Sequence, residues 1–589
     1  METPTSLAHW SLTDLLPEPV DQSVEARLKI LEGAVSELEA MRPSMTPEIT
    51  EEYFGKILAT LETINALLRQ LEAYSYLWFA EDTHNQAALN LRDRLDRALV
   101  EMGNRILFFD LWFKELPDEA ARRLIAGSGD MRYALESSRR FKPFTLSEVE
   151  ERLINLKDVN GINALVNIYE MITNHFTFNL EVNGEKKSLS KDALTGYVFN
   201  ASPELRAAAY QELYRVYSEN STILAQIYSH RVRDWHAEAV DLRHYASSIS
   251  ARNLDNDLPD EVVDILLEVC RKNAGIYQRY FRLKAGWLGL KKLRRYDIYA
   301  PLAESNKTYD FAQTKELVLG SYREFSPEMA DLASRVFDEN HLDAQARPGK
   351  RGGAFCLAAL PGMTPWVLVN YSGRPRDVTQ LAHELGHAIH AMLAAKHSVS
   401  TFHASLPLAE TASVFGEMQL TQRLLQLEQN PTVRRDLLAH AVDDAYVNVL
   451  RQAYFTLFER EAHRLISAGA SFEQVTQAYQ ANLVEQFGDS VELSDEFRWE
   501  WITVPHIYNS PFYTYAYSFG QLLVLALYRQ YKLEGATFIP KYLKILAHGG
   551  SASPVSILEE AGINIKTAAF WQSGFDVLDE MIAELAQMA

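Results

Sequence analysis

Apolar residues recur at spacings of three and four along most of the chain, which is typical of amphipathic helices. The segment from Val20 to Met41 is the first clear case, because one helical face carries its apolar residues: Val24, Leu28, Leu31, Val35 and Leu38. Similar patterns predict a helix through Leu58 and Leu68 towards Tyr76, and another over residues 85 to about 113. These early helices are expected to pack on one another as antiparallel hairpins.

Proline next to a capping residue marks two of the predicted helix starts. Thr46-Pro47 and Ser202-Pro203 each pair an N-cap side chain with proline at the first helical position. A further helix is expected from Pro117. We place a domain boundary just before Ser202, which predicts an N-terminal helical domain over residues 1–200 and a second domain over residues 201–589.

Strand signals occur at only two places. Residues 176–182 (FTFNLEV) followed by Asn183-Gly184 are typical of a β-hairpin. Residues 354–360 and 366–371 are expected to form two short strands on either side of Pro361-Gly362. The predicted fold class is therefore mainly α, with a small β-sheet just upstream of a histidine-containing helix.

Composition and charge exclude some functions. The 589-residue chain carries 58 basic and 78 acidic side chains, a formal charge of −20. This balance argues against a nucleic-acid partner, which needs clustered positive charge. We expect no membrane segment, since the best apolar run, residues 522–528, is far too short to cross a bilayer. Two cysteines and no recognisable signal peptide predict a reducing, cytoplasmic location.

The string His383-Glu384-Leu385-Gly386-His387 predicts a metal site. Two histidines at i and i+4 project from one helical face, a separation that suits two ligands of one tetrahedral zinc ion. Glu384 can then act as general base towards a zinc-bound water. The same helix is expected to have an N-cap pair at Asp377 and Gln380 and a core-facing apolar set: Val378, Leu381, Leu385, Ile389 and Met392.

A catalytic zinc ion needs a third protein ligand, and there are two candidates. His390 shares the helical face, but it lies about 10 Å along the helix axis from His383. Glu410 opens the next predicted helix, and a crossing helix can bring its carboxylate to the metal. We predict Glu410 as the ligand, with a solvated helix position as its alternative, and His390 as a supporting residue. Glu417 is expected either to orient a ligand histidine or to be an ordinary surface residue.

Four segments in this order resemble the M3 family of metallopeptidases, and within it the oligoendopeptidase F group: residues 352–356 (GGAFC), 383–390 (HELGHAIH), 408–413 (LAETAS) and 506–520 (HIYNSPFYTYAYSFG). The resemblance implies a large multi-helical zincin-type metallopeptidase with a central substrate channel. It implies one catalytic zinc ion held by His383, His387 and Glu410, and Glu384 as the catalytic base. It also implies short peptides as substrates, because such a channel excludes folded proteins.

The last of these segments supplies candidate donors to the oxyanion that develops during peptide hydrolysis. In the family, a histidine and tyrosines from this segment have that role. The resemblance assigns it to His506 and Tyr517, and we choose Tyr513 as the second tyrosine because it precedes Tyr517 by one helical turn. The alternative for some of these rings is an aromatic core or cavity wall.

The glycine pair Gly352-Gly353 is interpreted as the start of an edge strand that can pair with an extended peptide, and a plain turn is the alternative. Cys356 is expected to be a small buried residue and not a nucleophile.

We therefore predict a zinc-dependent metalloendopeptidase that hydrolyses internal bonds of short oligopeptides. Two alternatives stay open. One is an exopeptidase on the same scaffold, a dipeptidyl carboxypeptidase or a carboxypeptidase, for which Arg374 and Arg376 are candidate cations for the terminal carboxylate. The other is a non-catalytic peptide-binding protein with a structural zinc ion. The sequence predicts no particular oligomeric state.

Overall fold

The computed structural model describes residues 9–18, 20–302 and 308–588, and helices dominate it. The first helices are α1 Val20–Met41, α2 Glu51–Glu81, α3 Gln86–Glu115, α4 Asp118–Ala126, α5 Arg132–Arg140, α6 Glu148–Asn160, α7 Ile162–Asn174, α8 Lys191–Thr195, α9 Pro203–Glu219, α10 Ser221–His236, α11 Ser248–Asp255, α12 Asp260–Lys272 and α13 Ala274–Trp287. They are followed by α14 Phe311–Phe325, α15 Pro327–Asp338, α16 Pro375–Leu393, α17 Leu406–Ala409, α18 Thr411–Leu427, α19 Pro431–Ala445, α20 Gln452–Ser467, α21 Phe472–Phe487, α22 His506–Asn509, α23 Tyr515–Glu534, α24 Ile539–Ala547, α25 Pro554–Glu560 and α26 Ala568–Gln587.

The strands of the described residues are short and form three small sheets: β1 Phe178–Val182, β2 Glu185–Leu189, β3 Leu293–Arg294, β4 Leu342–Gln345, β5 Phe355–Leu357, β6 Trp366–Tyr371 and β7 Val491–Glu492. The pair β1–β2 is the predicted hairpin, and its two-residue loop has positive φ angles at Asn183 and Gly184. In the three-stranded sheet, β6 lies between β4, which is parallel to it, and β5, which is antiparallel. The predicted edge position of the strand after Gly353 is confirmed. The strands β3, β4 and β7 were not predicted.

The chain folds into two compact units, each assembled from three stretches of sequence. The described residues of the first unit lie within 1–143, 307–424 and 530–563, and those of the second within 144–306, 425–529 and 564–589. The division into domains at residue 200 is a separate hypothesis and stays a prediction.

The first unit begins with the predicted helical hairpins. Helix α1 has the predicted bounds, and α2 packs on both α1 and α3. The N-cap predicted at Thr46 is wrong, because α2 begins four residues later and its N-cap is Thr50. Ile49, the residue before this cap, is buried in the core. The Thr50 hydroxyl then accepts a hydrogen bond from the Tyr53 amide at 3.2 Å.

Helix α16 carries the histidine motif and packs against β5, β6, α15 and α24 in the first unit. Its predicted core-facing residues are all buried: Val378, Leu381, Leu385, Ile389 and Met392. The N-cap predicted at Asp377 is wrong, because the helix starts at Pro375. The carboxylate of Asp377 instead reaches back from the first turn and accepts the backbone amides of Ser372 and Arg374, at 2.7 and 3.1 Å.

Within residues 9–18, 20–302 and 308–588, none of the helices combines the length and the apolar composition that crossing a bilayer requires.

Candidate metal centre

Three side chains of the first unit converge on one point. His383 and His387 project from successive turns of α16, and Glu410 lies between α17 and α18. The Nε2 atoms of the two histidines are 3.2 Å apart, and Oε2 of Glu410 lies 3.3 Å from the first and 3.5 Å from the second. Ligand bonds of about 2.0–2.1 Å in a tetrahedron place ligand atoms about 3.3 Å apart, so the three atoms have the spacing of a tetrahedral metal site.

The hydrogen bonds around the cluster orient its members. Nδ1 of His383 donates to Oε1 of Glu417 at 2.5 Å, which leaves Nε2 of that ring facing the cluster. The hydroxyl of Ser413 donates to Oε2 of Glu410 at 2.8 Å. The Ala409 backbone hydrogen-bonds to His387. Of the two sequence-based interpretations of Glu417, the geometry supports the orienting one.

The charges of the cluster favour a bound cation. Burial acts to raise the pKa of Glu410, but the neighbouring His387 and His383 rings and the Ser413 hydroxyl hold this pKa below its usual range. Burial acts to lower the pKa of His383, but Glu417 and Glu410 raise it to about 9. The carboxylates therefore stabilise positive charge at the point where the three ligand atoms meet.

The crossing of α16 and α18 depends on Gly386. A β-carbon at this position would lie 2.5 Å from Cα of Ser413 and 2.6 Å from the carbonyl oxygen of Ala412. Only glycine lets the two backbones approach so closely. This contact brings Glu410 and Glu417 to the histidine face of α16.

Glu384 lies between the two histidines in sequence, and it is 6% exposed. Burial raises the pKa of its carboxyl to about 7; His383 opposes this shift, whereas Glu410 and Glu417 reinforce it. A carboxyl whose pKa lies near neutrality is suited to accept and return a proton.

His390 is not part of the cluster. It is buried one turn beyond His387, and burial lowers its pKa to about 4. Its ring also hydrogen-bonds to the Ala409 backbone. Its predicted supporting role has no further observation behind it and stays a prediction.

A cavity of about 560 Å³ opens over the cluster, a volume in the range of ligand-binding pockets. Its walls include the three clustered side chains, Glu384, and the edge strand β5 with its neighbours Ala354 and Ala358. Cys356 of this strand is half-buried, and burial followed by the charge of Glu384 raises the pKa of its thiol well above the usual range. The thiol therefore stays protonated, in agreement with the prediction that it is not a nucleophile. The prediction that Cys356 is buried is wrong, because its strand lines the cavity.

The lining also includes two residues that no sequence pattern indicated. Arg69 of α2 and His403, from the segment between α16 and α17, line the same cavity. Arg374 and Arg376, the cations considered from the sequence, are not among its described lining residues. No local pattern could have singled out Arg69, because 314 residues separate it from His383.

The predicted oxyanion donors lie close to one another in the second unit. The ring centroids of His506 and Tyr513 are 5.9 Å apart, those of Tyr513 and Tyr517 5.5 Å, and those of His506 and Tyr517 6.1 Å. All three side chains are half-buried. The other two tyrosines of the segment are core residues, because Tyr508 stacks on Tyr169 and the Tyr515 hydroxyl accepts from Asn256 at 2.8 Å. The catalytic role of the clustered rings stays a prediction.

A buried carboxyl supports this aromatic segment. Phe512, directly before Tyr513, has a φ of 59°, which is unfavourable for a bulky side chain. Its backbone amide donates to Oε1 of Glu459 at 2.9 Å. Glu459 is fully buried on α20, and burial raises its pKa to about 8. The hydrogen bond offsets part of the backbone strain at Phe512.

Residues 197–577 match the family model "Peptidase family M3". Oligopeptidase PepF of Bacillus subtilis (strain 168) is 23% identical over 590 residues, covering 98% of this chain and 87% of that protein. The chromosomal oligoendopeptidase F of Lactococcus lactis subsp. cremoris is 27% identical over 409 residues, covering 69% of this chain and 67% of that protein.

Solved structures share the fold. A protein from Chlamydophila abortus superposes with a TM-score of 0.87 at 22% identity, covering 99% of this chain and 98% of that one. Oligoendopeptidase-F from Enterococcus faecium gives a TM-score of 0.73 at 21% identity, covering 96% and 99% of the two chains. The family model spans well over half of the sequence, and the chain therefore belongs to peptidase family M3.

Proposed function

We propose that this protein is a zinc-dependent metalloendopeptidase that hydrolyses internal peptide bonds of short oligopeptides. The observation that carries the proposal is the convergence of His383, His387 and Glu410 at ligand spacing, with Glu384 beside them in a cavity. Membership of peptidase family M3 agrees with it, as do relatives named oligoendopeptidase F.

The donor set fits a zinc ion. Two imidazole nitrogens and one carboxylate oxygen are a common ligand set of catalytic zinc, and the orienting hydrogen bond from His383 to Glu417 is the usual support of such a ligand. When bound, the ion would supply a Lewis acid that polarises the scissile carbonyl and lowers the pKa of water.

Glu384 supplies the proton transfer. Its buried carboxylate takes a proton from the attacking water and returns it to the leaving amine. A group with a pKa of about 7 performs both steps near neutral pH without a large free-energy cost in either direction. We assign the stabilisation of the oxyanion to His506, Tyr513 and Tyr517, whose N–H and O–H groups are the donors that this charge requires.

The edge strand β5 is the proposed contact for the peptide backbone. It pairs with β6 on one side only within the described sheet, and it lines the cavity beside the metal cluster. An extended peptide can therefore add to this edge by main-chain hydrogen bonds. Such binding recognises backbone and not side chains, which agrees with a substrate class defined by peptide length.

A structural zinc site in a non-catalytic protein is the weaker proposal. Among the described residues, the metal cluster comprises three ligands, whereas structural zinc sites have four protein ligands. The retained base Glu384 has no purpose in a structural site.

The cytoplasmic location stays a prediction.

Cleavage of one peptide blocked at both ends tests the proposal. We expect hydrolysis at an internal bond, its loss when a chelator removes the metal, and its return on addition of zinc. Mass spectrometry of the products identifies the bond. Release only of terminal residues or dipeptides from unblocked peptides would show an exopeptidase, and zinc binding without any hydrolysis would show a non-catalytic protein.

A further inference from the structure

Arg69 is a permanent cation in the wall of the metal cavity. It is exposed on α2, and the described residues 9–18, 20–302 and 308–588 offer it no hydrogen-bond or ion-pair partner. By contrast, Arg105 of α3 in the same unit forms ion pairs with Glu32 and Glu39 of α1. Arg69 therefore presents its five N–H donors to whatever enters the cavity.

The position of Arg69 is fixed by contacts on both sides along α2. One and two turns before it, Asn65 and Glu62 bind the segment that leads to His403; the Glu62 carboxylate accepts the amides of Val399 and Ser400 at 3.0 and 3.1 Å. Two turns after it, Tyr76 contacts the ring of Phe355 in β5, with 5.2 Å between the centroids. Arg69 thus stands between the segment that ends at His403 and the proposed peptide-binding strand.

The charges in the cavity leave Arg69 uncompensated. The lining carboxylates are Glu410, one of the three clustered ligands, and Glu384, which lies beside them. A divalent cation bound there would balance these two negative charges and leave the guanidinium as the excess charge. Burial lowers the pKa of His403 to about 4 and the charge of Arg69 adds to this effect, so this ring is a neutral hydrogen-bonding neighbour. The part of the cavity near Arg69 is therefore built for an anion.

On the basis of the proposed function, we propose that Arg69 binds a carboxylate of the peptide substrate and so fixes the register in which the peptide lies against the metal cluster. Arginine forms paired, charge-assisted hydrogen bonds with carboxylates, which gives orientation as well as affinity. The carboxylate has two sources in a peptide, the C terminus and an acidic side chain. A C-terminal anchor would place cleavage at a fixed distance from the peptide end.

Four versions of one short peptide distinguish these sources: the parent with a free C terminus and one aspartate, its C-terminal amide, its asparagine version, and the version with both changes. We expect removal of the recognised carboxylate to lower kcat/KM of the wild-type enzyme on the order of 10- to 100-fold. Arg69→Gln should lower kcat/KM for the parent peptide by the same factor. In this variant, removal of the recognised carboxylate from the peptide should cause no further loss of kcat/KM. Arg69→Lys should retain part of the discrimination, and Lys56→Gln, which changes an exposed cation of the same helix outside the cavity lining, is the matched control.

Binding supplies a readout that does not depend on turnover. Affinities of the four peptides are measured by calorimetry with zinc-loaded Glu384→Gln, alone and combined with Arg69→Gln. Equal affinities for all four peptides, or an equal loss on all four in the Arg69 variant, would overturn the proposal, since a structural role affects every peptide alike. If Arg69→Gln does not fold, absence of discrimination by the wild-type site overturns it too. Absence of hydrolysis of every peptide by the zinc-loaded wild type contradicts the proposed function instead.

Discussion

Glu417 accepts a hydrogen bond from Nδ1 of His383 at 2.5 Å, and so fixes which nitrogen of that ring faces Glu410. We expect Glu417→Ala to weaken zinc binding by about 10- to 100-fold, because the ring loses both its orientation and the tautomer that leaves Nε2 free. Competition with a chromophoric chelator measures the affinity.

The control for this experiment is Gln426→Ala, an exposed position near the end of the same helix, α18. It should leave zinc affinity unchanged. An affinity in Glu417→Ala equal to that of the wild type would show that the carboxylate does not orient a ligand, and that its contact with His383 has no effect on the metal.

Gly386 permits the close crossing of α16 and α18, so Gly386→Ala should damage both stability and metal binding. The added methyl group would overlap the backbone at Ser413 and Ala412, and separating the helices moves Glu410 and Glu417 away from the histidines. We expect a loss of about 1–3 kcal/mol in the free energy of unfolding, measured by urea denaturation, together with weaker zinc binding.

Gly55→Ala is the matched substitution for Gly386→Ala. Gly55 lies inside α2, and a β-carbon there meets no atom within 4 Å. It should stabilise the protein by about 0.5–1 kcal/mol, since alanine is the better helix former. If both variants behaved alike, intrinsic helix propensity and not the helix crossing would govern position 386.

Local patterns predicted the parts of the site that depend on one helix. The spacing of His383 and His387 is set by helical geometry alone, and the apolar face of α16 is equally local. Glu410 could be predicted as the third ligand because it opens the next helix. The contact of Glu417 with His383 could be given only as one of two alternatives, because it depends on the crossing angle that the Gly386 contact permits.

The two wrong caps have different origins. Thr46 satisfies the sequence rule, but Ile49 is buried in the core and α2 begins only after it. Asp377 does cap α16, but from the first turn, where its carboxylate accepts the amide of Ser372. Arg69 reaches the metal cavity from a helix far away in the sequence. Its place in the cavity lining can be recognised only from the folded structure, in which α2 lies beside β5.

Glu384→Gln tests the general base directly. The amide is nearly isosteric, so zinc binding should persist while kcat/KM falls by about 10²- to 10⁴-fold. In the wild type, kcat/KM should rise with pH through the pKa of Glu384, because only the carboxylate form accepts a proton. That pKa is about 7 from burial and neighbouring charges, and a bound cation lowers it, so the acid limb should lie at or below neutrality.

The same pH series with Glu384→Gln is the control. The residual activity of this variant should lack that acid limb, apart from the loss of metal when the ligand histidines are protonated in acid. Metal content measured at each pH separates the two effects. Normal turnover in the variant, or an unchanged acid limb with metal retained, would rule out Glu384 as the base.

Glu459 should make the stability of the protein depend on pH. Its pKa is raised from 4.5 to about 8 in the fold, chiefly by burial, so the folded state holds a proton that the unfolded chain releases. The resulting stabilisation is complete below about 4.5 and disappears as the pH rises through about 8. The urea midpoint of the wild type should therefore decrease across this range.

Glu459→Gln keeps an oxygen for the Phe512 amide without a titrating group, and its midpoint should decrease less. Equal pH dependence in the two proteins would mean that Glu459 is ionised in the fold, where the Phe512 amide and the charges of Arg252 and Arg231 oppose the effect of burial.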